Sequence, residues 1–263
     1  MRWTMRHVWF LTGWLLFVIQ VAGCGSTIPP RRLADYLGPQ TPKEGPRTPL
    51  PPGPIHAGLV VTADTSRRDA VALPDELLNR LAETLRQQLS DLTPNVLDKI
   101  IPAQGVRPEG DLDQFRELGK QHGVNYLVVV VASAVEQEHP ITIFLGWVTH
   151  AQPGLRRDNW TLVEAALLDL NTGQVVLRAE GSGFATLDRP TAPGISQWYP
   201  VIWLRPQDPD RRYYPPNYAT APATLRGVAM NEAAKRLILN FQKAWIEKRQ
   251  NELDAVESTE GSH

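Results

Sequence analysis

Tyr126-Leu127-Val128-Val129-Val130-Val131 is the stretch that decides how the chain folds. Six consecutive apolar residues with a β-branched run fit a strand covered on both faces, because a half-exposed strand alternates apolar with polar. Such a strand needs layers above and below it, and the flanking sequence supplies helices. Just upstream, Asp111 with Gln114 three residues on forms a capping-box pattern. Leu112, Phe115 and Leu118 mark one helix face, and Gly123 stands where that helix stops. Farther back, Leu77, Leu78, Leu81, Leu85, Leu89 and Leu92 recur at three- and four-residue spacing behind Pro74, which a first helical turn tolerates. Ile55–Thr62, built on Leu59-Val60-Val61, is expected as a first strand, and Asn95–Ile101, closed by Pro102, as a second.

Downstream, Pro140 either ends the valine strand or opens a hairpin into Ile141–Thr149. Trp160–Leu170 and Val175–Thr186 flank Asn171-Thr172-Gly173, a short turn with glycine where a positive φ is needed. Leu225, Val228, Ala229, Leu237, Phe241 and Trp245 give a closing helix over Ala223–Trp245. Residues 246–263 lose apolar character and are expected to fray. The order strand, helix, strand, helix, three or four strands, helix predicts one α+β domain over residues 55–245. Its mixed β-sheet would carry two to three packed helices.

These pieces resemble the periplasmic lipoprotein domains grouped with the amino-terminal domain of TolB, the curli secretion lipoprotein CsgG and the penicillin-binding-protein activator LpoB. The matching segments are Leu59–Thr62, the leucine-striped helix, Leu118-Gly119 followed by Gly123-Val124-Asn125-Tyr126-Leu127-Val128, and Leu168-Asp169-Leu170-Asn171-Thr172-Gly173-Gln174-Val175-Val176. The resemblance covers about residues 60–186 and the last helix. It implies a fold and a habit of binding other proteins, not a chemistry.

The chain begins with a basic start, Arg2 and Arg6, runs into an apolar stretch from Val8 to Ile19, and reaches Val21-Ala22-Gly23-Cys24. That order is a secretory signal peptide over residues 1–23. The apolar stretch is shorter than the roughly 20 residues a membrane span requires, and Gly13 and Gln20 interrupt it. Val21–Cys24 resembles the lipobox of bacterial lipoproteins, which implies cleavage between Gly23 and Cys24 and acyl chains, palmitate among them, on Cys24. Multiple chains would hold the protein on a membrane without a spanning helix. Gly25 stands where the inner-membrane retention signal of this class has aspartate, so the resemblance implies the periplasmic face of the outer membrane.

Residues 24–54 read as a Pro-rich tether: Gly25–Pro54 holds nine prolines and four glycines, and apolar residues are sparse. Extended as polyproline II, such a linker reaches about 90 Å. Arg32–Leu37 has the make-up for one helical turn. Cys24 is the single cysteine, so no disulfide framework is available and the fold rests on its core. The formal charge of −1 becomes more acidic once Arg2 and Arg6 are removed, which leaves no basic footprint for nucleic acid.

Nothing in the sequence reads as catalytic. Gly181-Ser182-Gly183 is not a nucleophile elbow and lies within an expected strand, where glycines mark a bulge or a close backbone approach. His56, His122, His139 and His150 lack the spacing of a helical metal pair, so no metal or cofactor is expected.

Two regions stand out instead. Thr186–Thr224 is long for a connection and rich in proline, with Trp198, Tyr199, Trp203, Arg211, Arg212, Tyr213 and Tyr214. These residue types suit, first, a loop folded back as a cover over a sheet face and, as the sharper alternative, a partner-binding loop, for which the resemblance implies a periplasmic protein partner in envelope assembly. Ile141–Thr149 and Trp160–Leu168 are expected to meet as a hairpin across Pro153-Gly154. Curli-channel relatives insert such hairpins into the membrane, so an oligomeric secretion channel is the alternative reading. Glu164 on the second strand favours a sheet extension in water.

Overall fold

The structure, a computed structural model, describes residues 29, 31–38, 49–50, 55–64, 66, 70–92, 97–108, 110–144, 151–191, 200–205 and 211–260. The leader with Gly23 and Cys24, most of the expected tether, Trp198, Tyr199 and the last three residues lie outside them.

In chain order the elements are α1 (Leu33–Leu37), β1 (Ala57–Ala63), α2 (Asp75–Leu92), β2 (Leu97–Ile100), α3 (Leu112–His122), β3 (Tyr126–Phe144), β4 (Ala151–Asp169), β5 (Gln174–Pro190), β6 (Val201–Arg205), β7 (Arg212–Tyr213) and α4 (Ala221–Glu260). The strands form one sheet in the order β2-β1-β3-β4-β5-β6-β7. The β1 strand pairs parallel with β2 and β3, and every later pair is antiparallel. This is the expected α+β mixed sheet, with four described helices rather than two to three.

The valine run explains the layering. Val128 and Val130 join Leu59, Val163, Ala165 and Leu167 beneath α2 (Leu81, Leu85, Leu89) and α4 (Ala233, Leu237, Phe241). Leu127, Val129 and Val131 point to the other face, against α1 (Leu33, Tyr36, Leu37) and α3 (Phe115, Leu118). Alternate residues of one strand therefore feed two cores, which is why the run shows no polar interruption. The α3 helix starts at Asp111, whose carboxylate accepts the Asp113 N–H at 3.0 Å, and stops at Gly123 with φ 65°. Gln114 does not close a capping box. Its amide donates to the Tyr36 carbonyl at 3.0 Å and so ties α1 to α3.

The helical turn expected at Arg32–Leu37 is more than a local feature. Leu33, Tyr36 and Leu37 are buried in the second core, and Leu50 is buried in the first. Apolar residues are sparse in this stretch, but they fall on one side of a single turn. The segment read as a spacer therefore contributes to the fold.

Three further expectations are corrected. The β3 strand continues through Pro140 to Phe144, and Pro153 and Gly154 lie inside β4, so the connection falls between residues 144 and 151. Pro140 is tolerated because β1 pairs with β3 only as far as Ala132. Past that point the Ala132 and Ala134 carbonyls accept from Asp64 and Val71, and residues of the same parity direct their backbone groups to that open edge. The missing N–H of Pro140 thus breaks no ladder bond. Residues 186–224 are not one long loop: β5 runs to Pro190 and β6 and β7 extend the sheet. Buried Ile202 and Leu204 alternate with half-buried Val201, Trp203 and Arg205, a strand pattern that the surrounding prolines obscure. Finally, α4 passes Trp245 and continues to Glu260, supported by the i,i+4 pair Lys243–Glu247 and a hydrogen bond from Gln250 to Asp254.

The contact between α4 and β5 is unusually close. A Cβ at Gly181 or Gly183 would collide with α4 backbone at Ala233, Leu237 and Ala229. The glycines thus mark the close approach, while Ser182 between them is exposed.

Candidate functional site

Residue parity in the register separates the two faces of the far half of the sheet. On the first face, α4 covers Ala185, Leu187, Ile202 and Leu204 with Ala221, Leu225, Val228 and Ala229. Arg226 clamps Glu136 there through two bonds of 2.7 and 3.1 Å. On the second face, the packing of α1 and α3 ends at Val131, Ala166 and Val175. Beyond this line, cross-strand rows of β3 to β7 form a shelf that no described helix covers.

Three rows make the shelf. The first places Trp160 opposite Phe184 and Phe184 opposite Arg205, and the two rings stack at 4.8 Å and 6°. The second row is Asp158, Thr186, Trp203 and Arg212. The Arg212 guanidinium lies 4.5 Å from the Trp203 ring centroid and that of Arg205 lies 5.7 Å from it. The third row pairs Arg156 with Asp188 through parallel bonds of 2.7 and 2.8 Å, which raises the Arg156 pKa above its usual value.

Electrostatically the shelf is under-satisfied. Burial pushes the Asp158 carboxyl above its ordinary range, against the pull of His139 and Arg156. Asp158 Oδ1, Thr186 Oγ1, Trp203 Nε1 and Arg205 Nε have no hydrogen-bond partner among the described residues. Buried polar atoms of this kind are normally paired, so four in adjoining rows are notable.

The residues singled out in the sequence divide here. Trp203 and Arg212 meet on the shelf. Arg211 instead packs 5.6 Å from the ring of Tyr213, which points to the first face, and Tyr214 is 62% exposed. Trp160, Phe184, Arg156 and Asp158 were not anticipated. Their signal is the hairpin register, which brings two aromatics opposite each other.

Chemically the shelf offers planar cations stacked on aromatics and a buried carboxylate, which suits recognition. No group of three metal-ligating side chains occurs among the described residues. A separate cavity of about 710 Å³ opens at the end of β1, where Val61, Val71, Leu73 and Leu78 surround Thr62, Asp64 and Asn79. Asp64 there accepts from the backbone and hydroxyl of Ser66. No described helix is long and apolar enough to cross a membrane.

No protein-family model and no curated protein matches the chain. Among solved structures it is similar to a neuraminyllactose-binding hemagglutinin homolog from Helicobacter pylori. That match has 10% identity and a TM-score of 0.37, over 82% of this chain and 97% of that one. It is also similar to the LpoB C-terminal domain from Salmonella enterica, at 18% identity and a TM-score of 0.25, over 49% and 84%. A lipoprotein from Neisseria meningitidis matches at 13% identity and a TM-score of 0.26, over 53% and 88%. All three likenesses are distant.

Proposed function

We propose that this chain is a non-enzymatic envelope lipoprotein, held by acyl chains on Cys24 at the periplasmic face of the outer membrane. Its α+β domain presents the shelf to a periplasmic protein partner in envelope assembly. The observation that carries the binding reading is the sheet face, covered by no described helix, where Trp203 stacks with Arg205 and Arg212 beside stacked Trp160 and Phe184. Trp, Tyr and Arg dominate interface hot spots: the rings bury large area at the cost of two χ angles, and the guanidinium adds a planar set of donors. The anchor reading rests on the lipobox pattern ending at Cys24 and the leader before it.

Docking of α1 changes what the anchor implies. With Pro29 buried and Arg31 bridging Glu180, the span from Cys24 to the docked chain is five residues, at most about 18 Å, instead of the whole Pro-rich stretch. The domain is thereby kept close to the bilayer. The channel reading gains nothing from the described hairpin. Glu136, Glu138 and Arg157 share one of its faces and His139, Arg156 and Asp158 the other, whereas a barrel strand keeps one face apolar.

The test has two arms on the full-length chain. Cys24→Ser should move the protein from membrane to soluble fractions and remove the lipid-dependent gel mobility; unchanged fractionation rejects the anchor. Crosslinking in intact envelopes should give a discrete adduct that Trp203→Ala with Arg212→Ala abolishes at unchanged melting temperature. An adduct indifferent to both substitutions rejects the shelf.

A further inference from the structure

The outer side of α4 carries a second surface, unrelated to the shelf. Five large hydrophobic residues are exposed among the described residues, and three share one line of this helix: Leu239 at 63%, Ile246 at 57% and Leu253 at 53%. They recur every seven residues, the period of a helix-to-helix seam. Leu237 and Phe241 occupy the opposite side of α4, buried against the sheet, so the stripe plays no part in the chain's own core.

Charge selects the occupant. The exposed Lys235 and Lys243 flank the stripe before Ile246, and Glu247 and Asp254 flank it after. Lys243 and Glu247 sit only 3.7 Å apart within the helix. Beyond Ile246, Lys248 is turned to the Val176 carbonyl and Arg249 is paired with Glu252, so the exposed flanks are basic before the midpoint and acidic after it, which is complementary to a reversed copy.

We propose that two copies of this chain pair through the outer faces of α4, antiparallel, about a two-fold axis at Ile246. At a rise of 1.5 Å per residue, Leu239 and Leu253 lie about 10 Å on either side of Ile246, so the axis sets Leu239 against the partner's Leu253. Lys243 and the partner's Glu247 come level to within about 3 Å along the axis, and Lys235 and the partner's Asp254 to within about 5 Å. A parallel pair would instead stack lysine on lysine and acid on acid. Three aliphatic residues per copy fall short of the roughly 800 Å² per partner of a standard interface. The dimer therefore forms weakly and in proportion to concentration, and confinement to a membrane would strengthen it.

The pairing is tested on the full-length chain carrying Cys24→Ser, which leaves it independent of the anchor. With Ile246→Cys added, mild oxidation should give a disulfide-linked homodimer. Leu239→Cys alone should stay monomeric but crosslink when mixed with Leu253→Cys. Sedimentation should show a monomer–dimer equilibrium that Ile246→Glu weakens at least tenfold, with melting temperature unchanged because that side chain touches no core. Self-crosslinking of Leu239→Cys overturns the antiparallel arrangement. A chain monomeric at every concentration, dimerisation indifferent to Ile246→Glu, or a 246 crosslink only to a different protein overturns the proposal.

Discussion

Gly183 of β5 lies so close to the Ala229 carbonyl of α4 that no Cβ fits between them. Helix backbone, not a flexible side chain, occupies the space, so a substitution cannot be absorbed by a rotamer change. Gly183→Ala is expected to lift α4 and to lower stability by about 3 kcal/mol, the upper part of the range for overpacking. Gly227 on α4 gives the control, because a Cβ there meets nothing within 4 Å. Gly227→Ala should stabilise by about 0.5–1 kcal/mol through helix propensity. Urea unfolding of both variants checks the pair, and equal effects would show that the close approach carries no strain.

Glu164 supplies a pH dependence. Its Oε2 accepts the Arg32 N–H at 2.5 Å and the Leu33 N–H at 3.1 Å, capping α1 from β4. Burial raises its pKa above the ordinary 4.5, with those two N–H groups opposing. The folded state then binds this proton more tightly than the unfolded chain. The stability gained is present below pH 4.5 and lost as pH rises through the raised value. Glu164→Gln keeps an oxygen for both N–H groups and removes the buried charge, so it should be at least as stable as the parent at pH 7.5 and depend less on pH. Glu164→Ala leaves the two donors unpaired and should lose about 1–3 kcal/mol at either pH. Unfolding free energies at pH 7.5 and pH 5 decide it: a glutamine variant as weak as the alanine one at pH 7.5 contradicts the account. Asp158 shifts in the same direction, so a residual dependence should persist.

Trp160 and Phe184 should couple. Their stacked rings predict an interaction of about 0.5–1.5 kcal/mol beyond the area each buries. A double-mutant cycle with Trp160→Leu and Phe184→Leu measures it, and additive effects would mean the rings are merely adjacent.

The layered fold was legible because burial leaves periodic marks. The valine run, the leucine stripe of α2 and the glycine at 173, with φ 72°, each carry a local signal that survives folding. The long strands were not legible, since Pro140 and Pro153-Gly154 look like breaks until the sheet shows that Pro140 directs its backbone to the open edge of β3 and that Pro153-Gly154 continue β4 opposite Thr142 and Ile141. The site was half legible. Trp203 and Arg212 stand out by residue type, but Trp160 and Phe184 meet only because a bulge between Leu167 and Leu168 shifts the register by one. Counted without it, from the pair Asp169 and Gln174, Trp160 would face Gly183. Leu33, Tyr36 and Leu37 were hidden by the prolines around them, and the length of α4 by its polar surface.

Pro140 leads to the last prediction. From Val135 to Phe144 no described strand pairs with the outer edge of β3, a length that invites another chain to add on. Pro140 removes one donor from that edge, and Glu136 and Glu138 place charge beside it, Glu138 answered by Arg157 across the ladder at 2.9 Å. Pro140→Val restores the donor and a strand-favouring side chain without disturbing the pairing with β4. Stability should stay within about 0.5 kcal/mol, as expected for an exposed position, while association on warming rises. Light scattering at matched concentration reads the difference, and adding Glu138→Thr should steepen it. The association should be indifferent to Ile246→Glu, which separates strand addition from pairing through α4. If Pro140→Val scatters no more than the parent at any temperature below unfolding, the proline does not guard the edge.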